Sequence, residues 1–477
     1  MPPRASRSAV LRALREALGP GKVVEDEEIV RLYSREPEGL EAPERPWAVV
    51  FPEEPRDVSA VARLAYKLEF PIYPQGSTTS LSGSAYPLEG GVVVSMERLR
   101  RIRSVSLVDS SVWVEAGVRI DDLNLELARR GYMFPVDPAS SAVATVGGAI
   151  NSGAGGMRGA KYGTMRDWVL GLHAVLVDEE GTTMFLGCRT LKCRQGYDLV
   201  RLIVGSEGTL ALVPDAYLKI TPLPENIVTA VAFYRSLGDL METVVDIKAR
   251  GIQPYIMEFM GENSVKLAAS YARAPIEAEG SMLLVSVDVN REATERVLGE
   301  LSGIMGSRAL RVYTARSLEE AEEKKLFQVR RGLFPAQVEH ARRTLGKDRV
   351  LVIIEDIAVP PSRLVEAVEL IREASERLGF SVAVGGHVGD GNLHPAIGVD
   401  PEDPEMTRRA REWFTEVMRI AIKLGGTVSA EHGIGTLKRE GLRMELEANN
   451  ALKALDIMRA IKRAFDPKGL LNPGKVV

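Results

Sequence analysis

The stretch at residues 381–399, SVAVGGHVGDGNLHPAIGV, leaves the chain few ways to fold there. Two apolar, alternating arms flank Gly389, Asp390, Gly391 and Asn392, the pattern of two antiparallel strands joined by a four-residue loop. Pairing Val388 with Leu393 sets His387 directly opposite His394. Side chains of such a pair share one face of the sheet with Cβ atoms about 5 Å apart. Two imidazoles at that separation can share one metal ion. The chain has five histidines. A third, His432, falls in another glycine-rich stretch, GGTVSAEHGIG at residues 425–435, beside Glu431, which offers a hard oxygen ligand. In a chain so poor in histidine, this clustering points to a site rather than to loop histidines at strand ends.

The rest of the composition bounds the class. A chain of 477 residues is long enough for two large or three ordinary domains. It is 45% hydrophobic and 26% charged, a soluble globular balance, and its net charge of −4 gives no electrostatic basis for nucleic-acid binding. The two cysteines, Cys188 and Cys193, exclude a disulfide framework and favour a reducing, cytoplasmic compartment. Two thiols are too few for an iron–sulfur cluster, which takes about four. No apolar run reaches the roughly 18 residues that span a bilayer. Residues 5–18 carry Val10, Leu11, Leu14 and Leu18 at helical spacing, with Arg15 and Glu16 interrupting any signal-peptide core.

Along the chain, residues 47–51 and 70–74 read as strands and residues 55–68 as a helix, followed by the hydroxyl-rich loop QGSTTSLSGSA at 75–85. Strand patterns at 91–95, 105–108 and 112–116 and a helix at 120–130 complete an α+β unit. Residues 135–161 are dense in glycine and almost free of bulky side chains, yet Val143, Val146 and Ile150 recur at near-helical spacing. That reads as a ligand-facing loop whose backbone N–H groups approach a ligand, not as a linker. Composition shifts at TPLP, residues 221–224, which marks a domain boundary. Beyond it, strands at 283–289 and 351–355 and helices at 318–330 and 362–378 suggest a second α/β layer, closed by the hairpin. The last residues, 466–477, form an irregular tail laid on the body. No G-x-G-x-x-G helix opening after the first strand and no Walker A sequence is present, so a bound nucleotide is held in neither of those ways.

Eight stretches, in order, resemble one family. They are PQGSTTSLSG (74–83), PVDPASSAVATVGGAINSGAGG (135–156), KYGTMRDWVLGL (161–172), GYDLVRLIVGSEGTLALV (196–213), EDIAVP (355–360), GGHVGDGNLHP (385–395), SAEHGIGTLKR (429–439) and FDPKGLLNPGK (465–475). They are similar to the D-2-hydroxyacid dehydrogenase branch of the flavoproteins that share the vanillyl-alcohol oxidase or p-cresol methylhydroxylase FAD fold. That branch includes D-lactate and D-2-hydroxyglutarate dehydrogenases and the flavin subunit of glycolate oxidase. The resemblance implies an α+β fold: a two-part FAD-binding domain over residues 1–222, an α/β substrate (cap) domain with an antiparallel sheet over 223–424, and a segment, 425–477, that returns to the FAD domain and the flavin.

Roles follow from the same resemblance. Pro74, Gln75, Gly76, Ser77, Thr78, Thr79 and Ser80 match the loop that cradles the FAD pyrophosphate, with Ser77 and Thr78 where the family usually has glycine. Pro138, Ser140, Ser141, Thr145, Gly147, Gly148, Asn151, Gly155 and Gly156 match the segment beside the isoalloxazine ring. Glu207 and Gly208 fall where relatives contact the ribose or adenine end, Asn472 matches an asparagine near the flavin, and Tyr162 and Leu212 complete the cofactor set. Residues 75–85 contain no histidine, so FAD is expected to be non-covalent. His387, His394 and Glu431 match the ligands of a divalent metal, Zn or Mn by ligand softness. His432 matches the catalytic base, and Arg330, with Lys347 as a second candidate, an arginine on the substrate carboxylate. The implied activity is oxidation of a D-2-hydroxy acid, D-lactate or glycolate, to the 2-oxo acid by hydride transfer to flavin N5. Electrons then leave to an external acceptor: a quinone, a cytochrome, an electron-transfer flavoprotein or an iron–sulfur partner. No nucleic-acid partner is implied. A peripheral contact with the inner membrane face and a homodimer stay open. So do two rival readings, a non-catalytic FAD subunit of a redox complex and a non-redox enzyme of the alkyl-glycerone-phosphate synthase type; the latter carries a histidine run where this chain has Ser-Ala-Glu-His-Gly.

Overall fold

Three short apolar segments, Ala48–Val50, Ile72–Gln75 and Val92–Ser95, lay down the first sheet of the computed structural model, which describes residues 5–36, 42–273 and 275–477. They pair in parallel, and every residue in them is buried, as parallel strands covered on both faces require. Val23–Val24 adds an antiparallel edge. The helix Arg7–Leu18 buries Val10, Leu11, Leu14 and Leu18, the face its spacing predicts, and Ser6 caps it. The helix Pro55–Leu68 opens on proline with a capping box between Glu54 and Asp57 and buries Val58, Val61, Ala62 and Ala65. A five-stranded antiparallel sheet follows in the order Ile102–Ser106, Ser111–Glu115, Asp215–Lys219, Val169–Val175, Thr183–Gly187. The tail rejoins this part of the chain: Leu471 bridges Ile72, and Leu470 and Leu471 enter the same core. These elements make one unit, residues 1–156, 163–223 and 431–477.

The second unit comprises residues 157–162 and 224–430. Its sheet is wholly antiparallel, in the order Arg311–Ala315, Asn226–Tyr234, Ser281–Val289, Ile256–Met260, Val382–His387, Asn392–Val399, Leu351–Ile354. The helices Leu237–Ala249, Thr294–Gly306, Leu364–Arg377 and Pro404–Lys423 build the main core on one face. Val382, Val384, Leu393, Ile397 and Val399 point into that core, so His387 and His394 stand on the other face. The helices Glu262–Ala272 and Leu333–Leu345 lie on that second face, where Leu333 meets Gly385 and Ala341 meets Gly398.

Several sequence expectations change. The hairpin loop is Val388–Gly391, and Gly385, not His387, pairs with His394. The register is shifted by two residues. An even shift keeps every side chain on its face, so the two histidines become diagonal neighbours instead of direct partners. The helix expected over residues 318–330 breaks at Lys325, which adopts φ +56°, leaving Leu318–Glu323 and Gln328–Arg331. Cys188 and Cys193, read as thiols, are joined in one local disulfide. Among the described residues no helix is long and apolar enough to cross a membrane.

Candidate active site

In the first unit a pocket is walled by residues 74–81, by 138–140 and 144–155 in part, and by Glu207, Glu431 and His432. Pro74 and Gln75 end the buried strand Ile72–Gln75, which fixes where the hydroxyl-rich loop begins. Thr145 caps the helix Val146–Ser152, its hydroxyl accepting the Gly148 N–H at 3.2 Å. The two walls touch at Gly76, where an added Cβ would lie 2.3 Å from the Thr145 hydroxyl. Thr78 holds φ +51°, a left-handed conformation that is costly for a β-branched residue and that glycine would adopt freely. The chain thus keeps the backbone path of a glycine cradle while substituting hydroxyls at it.

Buried polar side chains brace these walls. The side-chain oxygens Gln75 Oε1, Asn151 Oδ1 and Asn472 Oδ1 have no hydrogen-bond partner within the protein. Asn472 is fixed by donating to the Ser84 and Glu207 carbonyls at 2.9 and 2.7 Å. Gln75 is fixed likewise on the Tyr33 and Ala85 carbonyls at 3.0 and 2.8 Å. These oxygens are closed off from the pocket space, so they brace the wall and do not face a ligand. What suits FAD is the wall itself: the hydroxyls of Ser77, Thr78, Thr79 and Ser80 line it, and Gly76 leaves no side chain between the loop and the helix. Among the described lining residues none is Lys or Arg, so the pyrophosphate would rest on hydroxyls and backbone N–H groups.

Of the expected cofactor residues, Pro74 to Ser80, Pro138, Ser140, Thr145, Gly148, Asn151, Gly155 and Glu207 line this pocket. Others do different work. Gly147, Gly156 and Gly208 let the backbone pass Ala116, Asp137 and Pro74 closely. Leu212 lies in the hydrophobic core, and Tyr162 belongs to the second unit, where it packs edge-on against Tyr255. Ser141 accepts the Asp121 N–H through its carbonyl.

The second unit gathers the two hairpin histidines. Their rings meet edge to face with centroids 5.2 Å apart, and a nitrogen of each comes within 4.8 Å of the other. Glu258, fully buried in the strand Ile256–Met260, is the direct cross-strand partner of His387 and takes its Nδ1 through Oε1. Its Oε2 accepts Arg330 Nε at 2.9 Å. Burial pushes the Glu258 carboxyl up, but His387 and Arg330 outweigh it and hold the carboxyl below the usual range. His394 Nδ1 lies 3.9 Å from Asp356 Oδ1. Asp356, also fully buried, accepts from Asn392 Nδ2, the Ser429 hydroxyl and the Ala430 N–H at 2.8, 3.0 and 2.9 Å. The Glu258 carboxylate on Nδ1 orients the His387 ring and leaves its Nε2 as the ligating atom, the usual outer-shell arrangement at metal sites, whereas Asp356 stands too far from His394 Nδ1 for a hydrogen bond. These donors suit a borderline divalent ion.

Lys347 is not brought to this place. It pairs with Asp400 at 3.2 Å on the surface, at the far end of the strand Asn392–Val399 from His394. The sequence carried no sign of that, because strand direction alone separates the two. Glu258 was missed for a different reason. A lone acid in the otherwise apolar run Ile-Met-Glu-Phe-Met was the available signal, since a buried carboxylate needs a partner.

Residues 223–476 match the family described as FAD linked oxidases, C-terminal domain, and residues 46–186 match the FAD binding domain family. The chain belongs to the FAD-linked oxidase family. It is therefore an FAD-dependent oxidoreductase. The "Glycolate oxidase subunit GlcD" of Bacillus subtilis is 35% identical over 433 residues, 90% of this chain and 89% of that one. The "D-lactate dehydrogenase" of Archaeoglobus fulgidus is 33% identical over 434 residues, 90% of this chain and 91% of that one. Among solved structures, the 4-ethylphenol oxidase of Gulosibacter chungangensis aligns with a TM-score of 0.79 at 17% identity, over 100% of this chain and 98% of that one. It shares the p-cresol methylhydroxylase type of fold with this member of the FAD-linked oxidases.

Proposed function

We propose that this protein oxidises a D-2-hydroxy acid, D-lactate or glycolate, to the 2-oxo acid. The observation that carries the reading is the placement of Glu431 and His432 in the wall of the flavin pocket. The names of the two relatives support the substrate class. When bound, FAD supplies a hydride acceptor, and a divalent ion, Zn or Mn, lowers the pKa of the substrate hydroxyl. His387, His394 and Glu431 would hold that ion. His432 takes the hydroxyl proton, which an imidazole can do at neutral pH. Glu258 keeps His387 in the tautomer with Nε2 available. Arg330, anchored to Glu258 through Nε, keeps both terminal nitrogens for the substrate carboxylate. An external acceptor reoxidises the flavin.

The test is anaerobic stopped-flow bleaching of the bound flavin with a panel of D- and L-2-hydroxy acids. D-lactate or glycolate should bleach it, and L-lactate should be far slower. A flavin that none of the acids reduces would end this reading.

A further inference from the structure

The turn that carries Glu431 and His432 lies outside any helix or strand, so its backbone N–H groups need partners from elsewhere. A single buried side chain supplies two of them. Glu207 is 6% exposed, and its Oε1 and Oε2 accept the N–H groups of Ile434 and Gly435 at 2.6 and 2.7 Å. Gly433 lies flat against the same carboxylate: a Cβ there would stand 2.7 Å from Oε1. Glu207 is itself anchored at both ends of its backbone. Its N–H donates to the Asn151 carbonyl at 2.7 Å, and its carbonyl accepts Asn472 Nδ2 at 2.7 Å. It holds a left-handed φ of +55°, a strained conformation for glutamate that fits a residue fixed by its surroundings.

We infer that Glu207 is a positioning residue: its carboxylate fixes the turn at residues 433–435 and thereby sets His432 and Glu431 in the pocket wall, and it is not a ligand of the FAD ribose. The inference rests on the role proposed for His432. Both carboxylate oxygens are already used by the turn. A glutamine cannot replace them, because its amide would set one N–H against another. Glu207→Gln therefore frees one end of the turn at nearly constant volume.

The experiment uses the FAD-loaded enzyme with Glu207→Gln and, from the other side of the same contact, Gly433→Ala. Amide hydrogen exchange over residues 431–437 reads the clamp without reference to activity and should quicken in both variants by at least about tenfold. The limiting rate of flavin reduction should fall about 10- to 100-fold in Glu207→Gln, with KM for the acid little changed, as expected when only transition-state geometry is lost. FAD affinity should fall by a much smaller factor than the limiting rate, because Glu207 meets the pocket wall while both its carboxylate oxygens face the turn. Combining Glu207→Gln with His432→Ala should slow reduction no further than His432→Ala alone, because residues that act as one unit are not additive. Unchanged exchange in both variants overturns the inference. So does a large loss of FAD affinity with the reduction rate intact. If His432→Ala alone reduces at the wild-type rate, the base assignment fails, and the exchange measurement still decides the clamp.

Discussion

At Gly76 a single hydrogen in place of a side chain lets the loop and the helix meet. The Thr145 hydroxyl that a Cβ would strike at 2.3 Å also caps the helix Val146–Ser152, so it cannot turn away without uncapping that helix. Loss of such a cap costs about 1 kcal/mol. Gly76→Ala should therefore lower FAD affinity at least about tenfold and the unfolding free energy by about 1–2 kcal/mol, both measurable by fluorescence titration and chemical denaturation. Wild-type affinity would mean that the loop shifts at no cost. Arg330 makes a second case. Its Nε is committed to Glu258, and a lysine could keep that ion pair but not a two-pronged grip on a carboxylate. Arg330→Lys should raise KM or lower kcat/KM for the acid, and unchanged kinetics would confine Arg330 to the Glu258 contact. Residue types at these positions were legible in the sequence. Their partners were not. Glu207 matches a cofactor contact by resemblance, yet both its oxygens are taken by a turn more than two hundred residues later, and no local pattern records such a pairing.

Elements were read well where one face is buried. The spacing of Val10, Leu11, Leu14 and Leu18 is the buried stripe of the helix Arg7–Leu18. The hairpin arms alternate as the strands Val382–His387 and Asn392–Val399 do. The register missed by two because loop residues were counted as paired, and an error of two is invisible to a period-two pattern. The turn held by Glu207 has no periodicity, so only packing could reveal it. It also carries a pH dependence. Burial pushes the Glu207 carboxyl up to about 7, against the pull of the Ile434 and Gly435 N–H groups and Lys475, while Glu36 adds to the push. An unfolded glutamate titrates near about 4.3, so between the two values the folded chain holds the extra proton. The contribution of this group to stability is full below the unfolded value and is lost as pH rises through about 7. Glutamine does not titrate. The stability advantage of the FAD-free wild type over Glu207→Gln should thus be larger at pH 5 than at pH 8, by chemical denaturation at each pH. An advantage that grows with pH would contradict the assignment.

On the scale of the whole chain, the fold class was legible because eight motifs recur in one order, and order is harder to match by chance than any one motif. What ordered motifs do not convey is whether an ion is held. The case for one rests on the second unit's sheet: two imidazoles edge to face, with Glu258 and Asp356 on their Nδ1 sides, in a chain that spends few histidines elsewhere. A pair of imidazoles kept only for packing would not need two fully buried carboxylates, whose desolvation must be offset. Two imidazoles with one carboxylate would leave open coordination positions, as a catalytic rather than a structural ion needs. Prolonged chelation should then abolish flavin reduction by the acid while the FAD spectrum persists, and added Zn²⁺ or Mn²⁺ should restore it. His387→Ala and His394→Ala should each lose the ion by elemental analysis and behave like the chelated protein. Glu258→Gln should bind it about 10- to 100-fold more weakly, the usual cost of removing an outer-shell partner. Calcium should not substitute, because it takes oxygen ligands in larger number. Active protein that contains less than about a tenth of an equivalent of any transition metal would sink the metal assignment. His387 and His394 would then have to act on the substrate directly, and His387→Ala would raise KM without any effect of chelator on the wild type.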